Sequence, residues 1–455
     1  MKLLSPEAWA AYQGRFIALW TDAARAYALY EPGELVAVEL RDGAYPALSY
    51  PGANWFQRLA KDLNGHTATG FADTRTAVEH FREPDGRAAW PEFKAPNVEG
   101  VHQVAVGPIH AGIIEPGHFR FSVVGEQVLK LQARLGYAHK GTLGLMRGKS
   151  ARQAARYAAR VSGDATVAHS IAFARAAEAA LGMEAPERAV YLRALMAEIE
   201  RLANHTSDIG AIAGDAGFAF LDSRFALARE HFCAAAQMAF GHRLMMDVVV
   251  PGGVAGDLAE GGTEAIEDAM DALEEELPSL KRVFEDYASL QDRVVGAGLI
   301  PPGLAAMYNA GGYVGRASGQ NRDARVEPGY PPYAAFGVSV PVEQEGDVAA
   351  RIKIRLEEIP ESIRLIRNIL QALPEGPVAL APPAASGMGL GVAESFRGPV
   401  WHWLNIDNGQ IQDAFVADAS TLHWPLLEHA ATTAILADFP LINKSINGSY
   451  SGVDL

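Results

Sequence analysis

Residues 187–204 read Glu187-Arg188-Ala189-Val190-Tyr191-Leu192-Arg193-Ala194-Leu195-Met196-Ala197-Glu198-Ile199-Glu200-Arg201-Leu202-Ala203-Asn204, with apolar side chains at Val190, Leu192, Leu195, Met196, Ile199 and Leu202. Recurrence every three or four residues lays these on one side of a helix and predicts a long helix facing a core. The same texture extends both ways. Residues 150–180 are alanine-rich and helical in pattern; 218–247 and 262–296 are two further helical stretches, the second broken only by Pro278. Another helix is expected from Val348 to Leu373, with Ile352, Leu356, Ile359, Ile363, Ile366 and Leu370 on one side and a kink or break at Pro360.

Strand signals flank this helical centre. Phe119, Phe121 and Val123, then Val128, Leu129 and Leu131, predict a β-hairpin turning near Gly125-Glu126. Glu34–Leu40 alternates like a half-buried strand, Arg41-Asp42-Gly43 reads as its turn, and Trp55–Leu63 is an amphipathic helix ending before Asn64-Gly65. The Pro- and charge-rich passage over 82–97 reads as a connector. The expected fold is mainly α with small β parts (α+β): a small α+β domain over 1–97 and a larger domain over 98–455.

Composition bounds the function. With 39 Lys+Arg against 54 Asp+Glu, the formal charge of −15 argues against a nucleic-acid surface. The single cysteine, Cys233, excludes a disulfide framework and any site built wholly from this chain's thiolates. No apolar run approaches the roughly 20 residues that span a bilayer. The start, Met1-Lys2-Leu3-Leu4-Ser5-Pro6-Glu7, lacks the apolar core of a signal peptide, so a cytoplasmic chain is expected, with membrane association through partners.

Three stretches carry candidate chemistry. Gly107-Pro108-Ile109-His110 and Glu115-Pro116-Gly117-His118-Phe119-Arg120 place two histidines, a carboxylate and an arginine on one loop. Histidine can donate a proton near neutral pH, although such loops also serve as plain turns. In Arg160-Val161-Ser162-Gly163-Asp164-Ala165-Thr166-Val167-Ala168-His169-Ser170, Gly163 costs roughly 1 kcal/mol inside a helix, so a break is expected there. Asp164 and His169 then face a cavity or, in the alternative, Ser162 caps a helix whose dipole favours Asp164. Asp215, on an apolar stretch after Asn204-His205-Thr206-Ser207-Asp208, is expected to be buried or pocket-lining, with a raised pKa if unpaired. Gly387-Met388-Gly389-Leu390-Gly391 follows no βαβ pattern and is a weak dinucleotide signal. No histidine spacing suggests zinc.

Read together, residues 107–455 resemble the catalytic large subunit of membrane-bound, group 4 [NiFe] hydrogenases and the related D-type subunit of respiratory complex I (NADH:quinone oxidoreductase). The resemblance rests on Gly107-Pro108-Ile109-His110, Gly136-Tyr137-Ala138-His139-Lys140-Gly141-Thr142, Glu200-Arg201-Leu202-Ala203-Asn204-His205 and Val250-Pro251-Gly252-Gly253-Val254. It continues through Ser362-Ile363-Arg364-Leu365-Ile366-Arg367, Leu373-Pro374-Glu375-Gly376-Pro377, Glu394-Ser395-Phe396-Arg397-Gly398 and Asp438-Phe439-Pro440-Leu441-Ile442-Asn443-Lys444-Ser445. Trp55-Phe56-Gln57-Arg58, Asp62-Leu63 and Gly65 weakly resemble the end of the C-type subunit of complex I, which makes residues 1–97 a shortened version of it.

The resemblance implies the helical-bundle core of those subunits. It also implies two Cys-x-x-Cys pairs for the metals, and here those positions hold Ser162 and Ala165, then Ser449 and Gly452. No thiolate remains for nickel or iron, so hydrogenase activity is not expected. Toward a quinone-like acceptor, Asp215 and His110 match family positions, His118 is a stand-in for a second histidine, and the tyrosine position falls on Gly163. The implied cavity comprises His110, Glu115, His118, Gly163, Asp164, His169 and Asp215, with His110, His118, Asp164 and Asp215 in proton-handling roles. The implied partners are a small iron–sulfur subunit, the B type of complex I, which carries the cluster, and antiporter-like membrane subunits. The implied place is the inner face of the cell membrane. The expected role is electron transfer to a quinone-like acceptor or coupling of redox to ion transport; the alternative is a non-redox subunit that bridges soluble and membrane arms.

Overall fold

The structure is a computed structural model and describes residues 1–73, 75–78, 93–109 and 114–455. The connector expected over 82–97 therefore lies outside the described residues up to residue 92.

The expected early strand is Glu34–Glu39, here β3. It pairs antiparallel with β2 (Arg25–Tyr30), which pairs antiparallel with β1 (Phe16–Thr21). Lys2–Leu3 adds in parallel to β3, giving a four-stranded sheet. The amphipathic helix α1 (Ala53–Asn64) buries Phe56 and Leu59 and ends at Gly65, whose φ of 73° is left-handed, as a helix C-cap requires.

A second sheet holds β4 (His102–Val106), β5 (His118–Val124) and β6 (Gln127–Arg134), joined β4-β5-β6. The expected hairpin is β5–β6.

The alanine-rich stretch breaks where Gly163 predicts. A helix over Ala151–Ala158 ends, residues Gly163–Ala165 form one tight turn, and α2 (Thr166–Leu181) follows. The quoted stripe opens α3 (Glu187–Asp215), the long central helix. Next come α4 (Ala219–Phe240) and α5 (Gly262–Asp286). Pro278 does not break α5. The helix runs through it and ends before Tyr287, which is extended and stacks on Phe218 with ring centres 4.2 Å apart. Pro278 faces solvent, so the carbonyl it leaves without a helical partner can be hydrated. In the same way α6 (Val348–Gln371) passes through exposed Pro360 without interruption. Its Asp347 cap accepts the Ala350 N–H at 2.7 Å.

The chain closes with a third sheet, β7 (Gly387–Ser395), β8 (Gly398–Asp407) and β9 (Gln410–Ala417), then α7 (Ser420–Ala431) and two short helices. Strand β7 lies directly on α2. A Cβ at Gly387, Gly389 or Gly391 would collide with the carbonyl oxygens of Ala180, Ala176 and Ala172 respectively. The glycines recur every two residues along a strand and the alanines every four along a helix, so each sheet-facing glycine meets one helical turn. That contact accounts for the Gly-x-Gly-x-Gly run without a nucleotide.

The N-terminal sheet packs on the C-terminal one. Trp20 stacks on Phe415 at 4.8 Å and lies 5.5 Å from Trp403, so the two ends of the chain share one apolar core. The fold is α+β with a helical centre.

Candidate functional site

The four positions singled out for their missing thiols converge. Ser162 and Ser449, 287 residues apart, meet hydroxyl to hydroxyl at 2.8 Å. Ser162 Oγ gives its proton to Asp164 Oδ1 at 2.9 Å, so Ser449 is the donor to Ser162. Ser449 Oγ in turn accepts the Gly452 N–H at 3.0 Å. Ala165 is fully buried beside them, and a Cβ on Gly452 would sit 2.7 Å from Asp418 Oδ2. Hydrogen bonds and packing thus fill the place where thiolates would stand.

The donor chain ends on Asp164, which Arg397 grips through both terminal nitrogens at 2.8 and 2.5 Å. Arg397 also donates Nε–H to the Asn447 carbonyl. Burial alone would raise the Asp164 carboxyl, but the Arg397 charge and hydrogen bonds hold it below the usual carboxylate range.

Behind Gly452 lies a buried relay. Asp418 Oδ2 is 3.0 Å from His169 Nε2, and His169 Nδ1 is 3.0 Å from His402 Nε2. Asp418 also accepts the Ser420 N–H at 2.7 Å. Burial opposes the Asp418 charge, yet His169 and Arg397 keep it well below the usual range. His402 is pushed well below its ordinary value, mainly by burial, and is neutral at pH 7. One tautomer set satisfies the row: His402 Nε2–H donates to His169, and His169 Nε2–H donates to Asp418.

In front of the serines is a small cavity of about 90 Å³, lined by Gly163, Asp164, Glu200, Asn204, Arg229 and Arg243 among others. Glu200, on α3, accepts the Val167 and Ala168 N–H groups at 2.7 and 3.1 Å, at the positive end of α2. Burial nevertheless pushes its carboxyl up to about 8. Asn204 Nδ2 ties the wall together, donating to the Asp164 and Glu200 carbonyls at 2.8 Å each.

The other expected site residues scatter. His110 lies outside the described residues. Glu115 Oε2 accepts the Tyr450 and Ser451 N–H groups at 3.2 and 3.0 Å, capping the terminal helix beside Ser449. His118 turns Nδ1 toward the Gly107 carbonyl at 2.8 Å, sits 5.1 Å from the Phe93 ring and has its pKa lowered by burial. His169 lies in the relay. Asp215 is exposed at the end of α3, which corrects the expectation that it is buried or pocket-lining. The last turn still buries Ile212 and Ala213, and Asp215 falls on its other side, facing outward. Partial desolvation still raises its pKa, with Lys444 opposing and Asp222 assisting. Of the expected cavity, among the described residues, Gly163 and Asp164 line the observed one.

Sequence reasoning left out Arg397, Glu200, Asn204, Asp418 and His402. The first three stand inside stretches that carried the resemblance. Asp418 and His402 stand in the last sheet and just after it, where nothing local marks them. Among the described residues no group of three or more His, Cys, Asp or Glu is placed to hold a metal ion.

Comparison with known proteins agrees with the expected family and fold. Residues 223–414 match the family described as respiratory-chain NADH dehydrogenase, 49 kDa subunit, and residues 140–208 match nickel-dependent hydrogenase. Formate hydrogenlyase subunit 5 of Escherichia coli K12 is 28% identical over 445 residues, covering 92% of this chain and 78% of that protein. The NADH-quinone oxidoreductase D 1 subunit of Roseiflexus sp. RS-1 is 30% identical over 290 residues, covering 63% of this chain and 77% of that protein. Among solved structures, a chain of the membrane-bound sulfane sulfur reductase, an archaeal respiratory membrane complex, superposes with a TM-score of 0.74 at 23% identity, covering 79% of this chain and all of that one.

Proposed function

Because the chain belongs to the family of the respiratory-chain NADH dehydrogenase 49 kDa subunit and its nickel-dependent hydrogenase relatives, we propose that it is a subunit of a complex I-like, hydrogenase-related membrane oxidoreductase that works without a nickel–iron centre. The observation that carries this reading is the closed row Gly452–Ser449–Ser162–Asp164. A nickel–iron group does not fit these residues: serine hydroxyls, a methyl and a glycine offer no soft ligand. No step is routed through it.

In this reading, electrons reach a quinone-like acceptor from an iron–sulfur cluster in a small partner subunit, and antiporter-like subunits hold the assembly at the inner face of the membrane. No helix among the described residues is long and apolar enough to cross a membrane; in this reading attachment runs through partners. The cavity of about 90 Å³ is smaller than the ~300 Å³ at which small-molecule pockets begin, so the partner supplies the remaining walls. What this chain contributes is proton handling. Arg397 keeps Asp164 an acceptor, Glu200 holds a proton at neutral pH, and Asp215, exposed with a raised pKa, faces the partner or acceptor.

The test is quinone reduction by the intact complex drawn from native membranes, with its partners identified by mass spectrometry. A rate reduced at least about tenfold in Asp215→Asn supports the reading; an unchanged rate sinks the Asp215 assignment. The second reading, a non-redox subunit that bridges soluble and membrane arms, is favoured by the same filling of the thiolate positions. It wins if membrane subunits co-purify with no iron–sulfur protein.

A further inference from the structure

A second cavity, away from the serine cluster, gathers several cations. With a volume of about 720 Å³, it opens where the N-terminal unit meets β6 and α7. Four cations line it: Arg58 from α1, Arg75 from the stretch after it, and Lys130 and Arg134 from β6. In a chain with a formal charge of −15 such a grouping runs against the average. Arg75 pairs with Asp73 at 2.6 Å, and Asp73 and Asp62 also act on Arg58. Arg58 spends Nε and Nη2 on the Arg75 and Thr76 carbonyls at 2.9 and 2.6 Å, and Lys130 donates to the Lys94 carbonyl at 3.0 Å. A guanidinium has five N–H donors and an ammonium three, so both keep donors to spare.

The lining acid, Glu428, is occupied and weakened. Its Oε1 accepts the Ala133 N–H at 2.7 Å, and burial pushes its carboxyl up to about 7 in spite of the nearby cations. Burial, with repulsion from neighbouring arginines, likewise pulls Arg58 down to about 10. The rest of the wall mixes polar side chains such as Asn54 and Gln132 with aromatic and apolar ones, including Trp55, Phe71, Leu135, Tyr308 and Trp424. Size, position between two structural units and this pairing of charge with ring surface are those of a small-molecule site.

We propose that this cavity binds an amphipathic phosphate-bearing molecule, its phosphate held by Arg58 and Lys130 and its aromatic or acyl body laid against Trp55, Tyr308 and Trp424. Donors arriving from two elements suit a multi-oxygen anion better than a single carboxylate. A nucleotide and a phospholipid both present that chemistry.

The experiment is titration calorimetry on the purified full chain with inorganic phosphate, adenosine monophosphate, short-chain phosphatidylglycerol and short-chain phosphatidylcholine. At least one amphiphile is expected to bind at least about tenfold more tightly than inorganic phosphate, with Lys130→Gln and Arg58→Gln each weakening it at least about tenfold. Trp55→Ala should weaken the amphiphile and leave inorganic phosphate alone. Binding by the nucleotide alone assigns a soluble ligand, and binding by the lipids assigns a headgroup. Failure of every probe, or undiminished binding in Lys130→Gln, overturns the proposal. Lys130 is partly exposed on β6, so its variant should keep the parent circular dichroism and serves where Arg58→Gln does not fold.

Discussion

The serine cluster and the cavity beside Trp55 answer their charges differently. At the cluster donors and acceptors are matched in series: a row of hydrogen bonds runs from the Gly452 N–H to Asp164, and Arg397 closes it. In the cavity, Arg58 and Lys130 give protons to backbone carbonyls and keep further donors. The first arrangement is that of a site whose cargo has been replaced by protein. The second leaves donors for something else to meet. Losing one binding chemistry did not leave a hole, because the chain supplied hydroxyls, a methyl and an ion pair in its place.

The contrast can be broken by mutation, and the strongest blow falls on Arg397. Arg397→Met leaves Asp164 without its partner and should cost about 2–4 kcal/mol in urea unfolding, below the full penalty for a buried charge because Asp164 is partly accessible. Next comes pH. Glu200 is held protonated in the folded chain, with its pKa raised from 4.5 to about 8, so folding takes up a proton between those values and stability falls as pH rises through them. Glu200→Gln should remove most of that fall, read as unfolding midpoints across the interval. An unchanged slope would mean Glu200 is ionised when folded.

Smaller effects sharpen the comparison. Gly452→Cys, which restores one family thiol, drives a side chain toward Asp418 and should lower stability by about 1–2 kcal/mol, because the position is already filled. Lys130→Gln, in the open cavity, should change stability by less than about 0.5 kcal/mol in either direction, since its one hydrogen bond goes to an exposed carbonyl. A large loss there would make Lys130 a structural cation and weaken the contrast.

What the sequence makes legible follows the range of the interactions. The strand over 34–39, the hairpin and the break at Gly163 depend on neighbours a few residues away, and each forms. The serine positions could be named only through resemblance, because periodicity says nothing about a contact across 287 residues. Asp215 misled because an apolar stretch shows that a helix has a buried side, not that every residue of its last turn lies on it. Pro278 misled because a helix loses little at a proline whose freed carbonyl reaches water. The His169–Asp418 pair carries no local signal, being assembled from α2 and the residues just after β9.

The contact between β7 and α2 governs which sequences can carry this fold at all. Gly387, Gly389 and Gly391 press on carbonyl oxygens, so even one methyl at any of them must push two backbones apart. In a saturating library the strand would read as a comb, with intolerant teeth at alternate positions and a permissive gap at exposed Met388. Drift is barred at those teeth whatever role the subunit has.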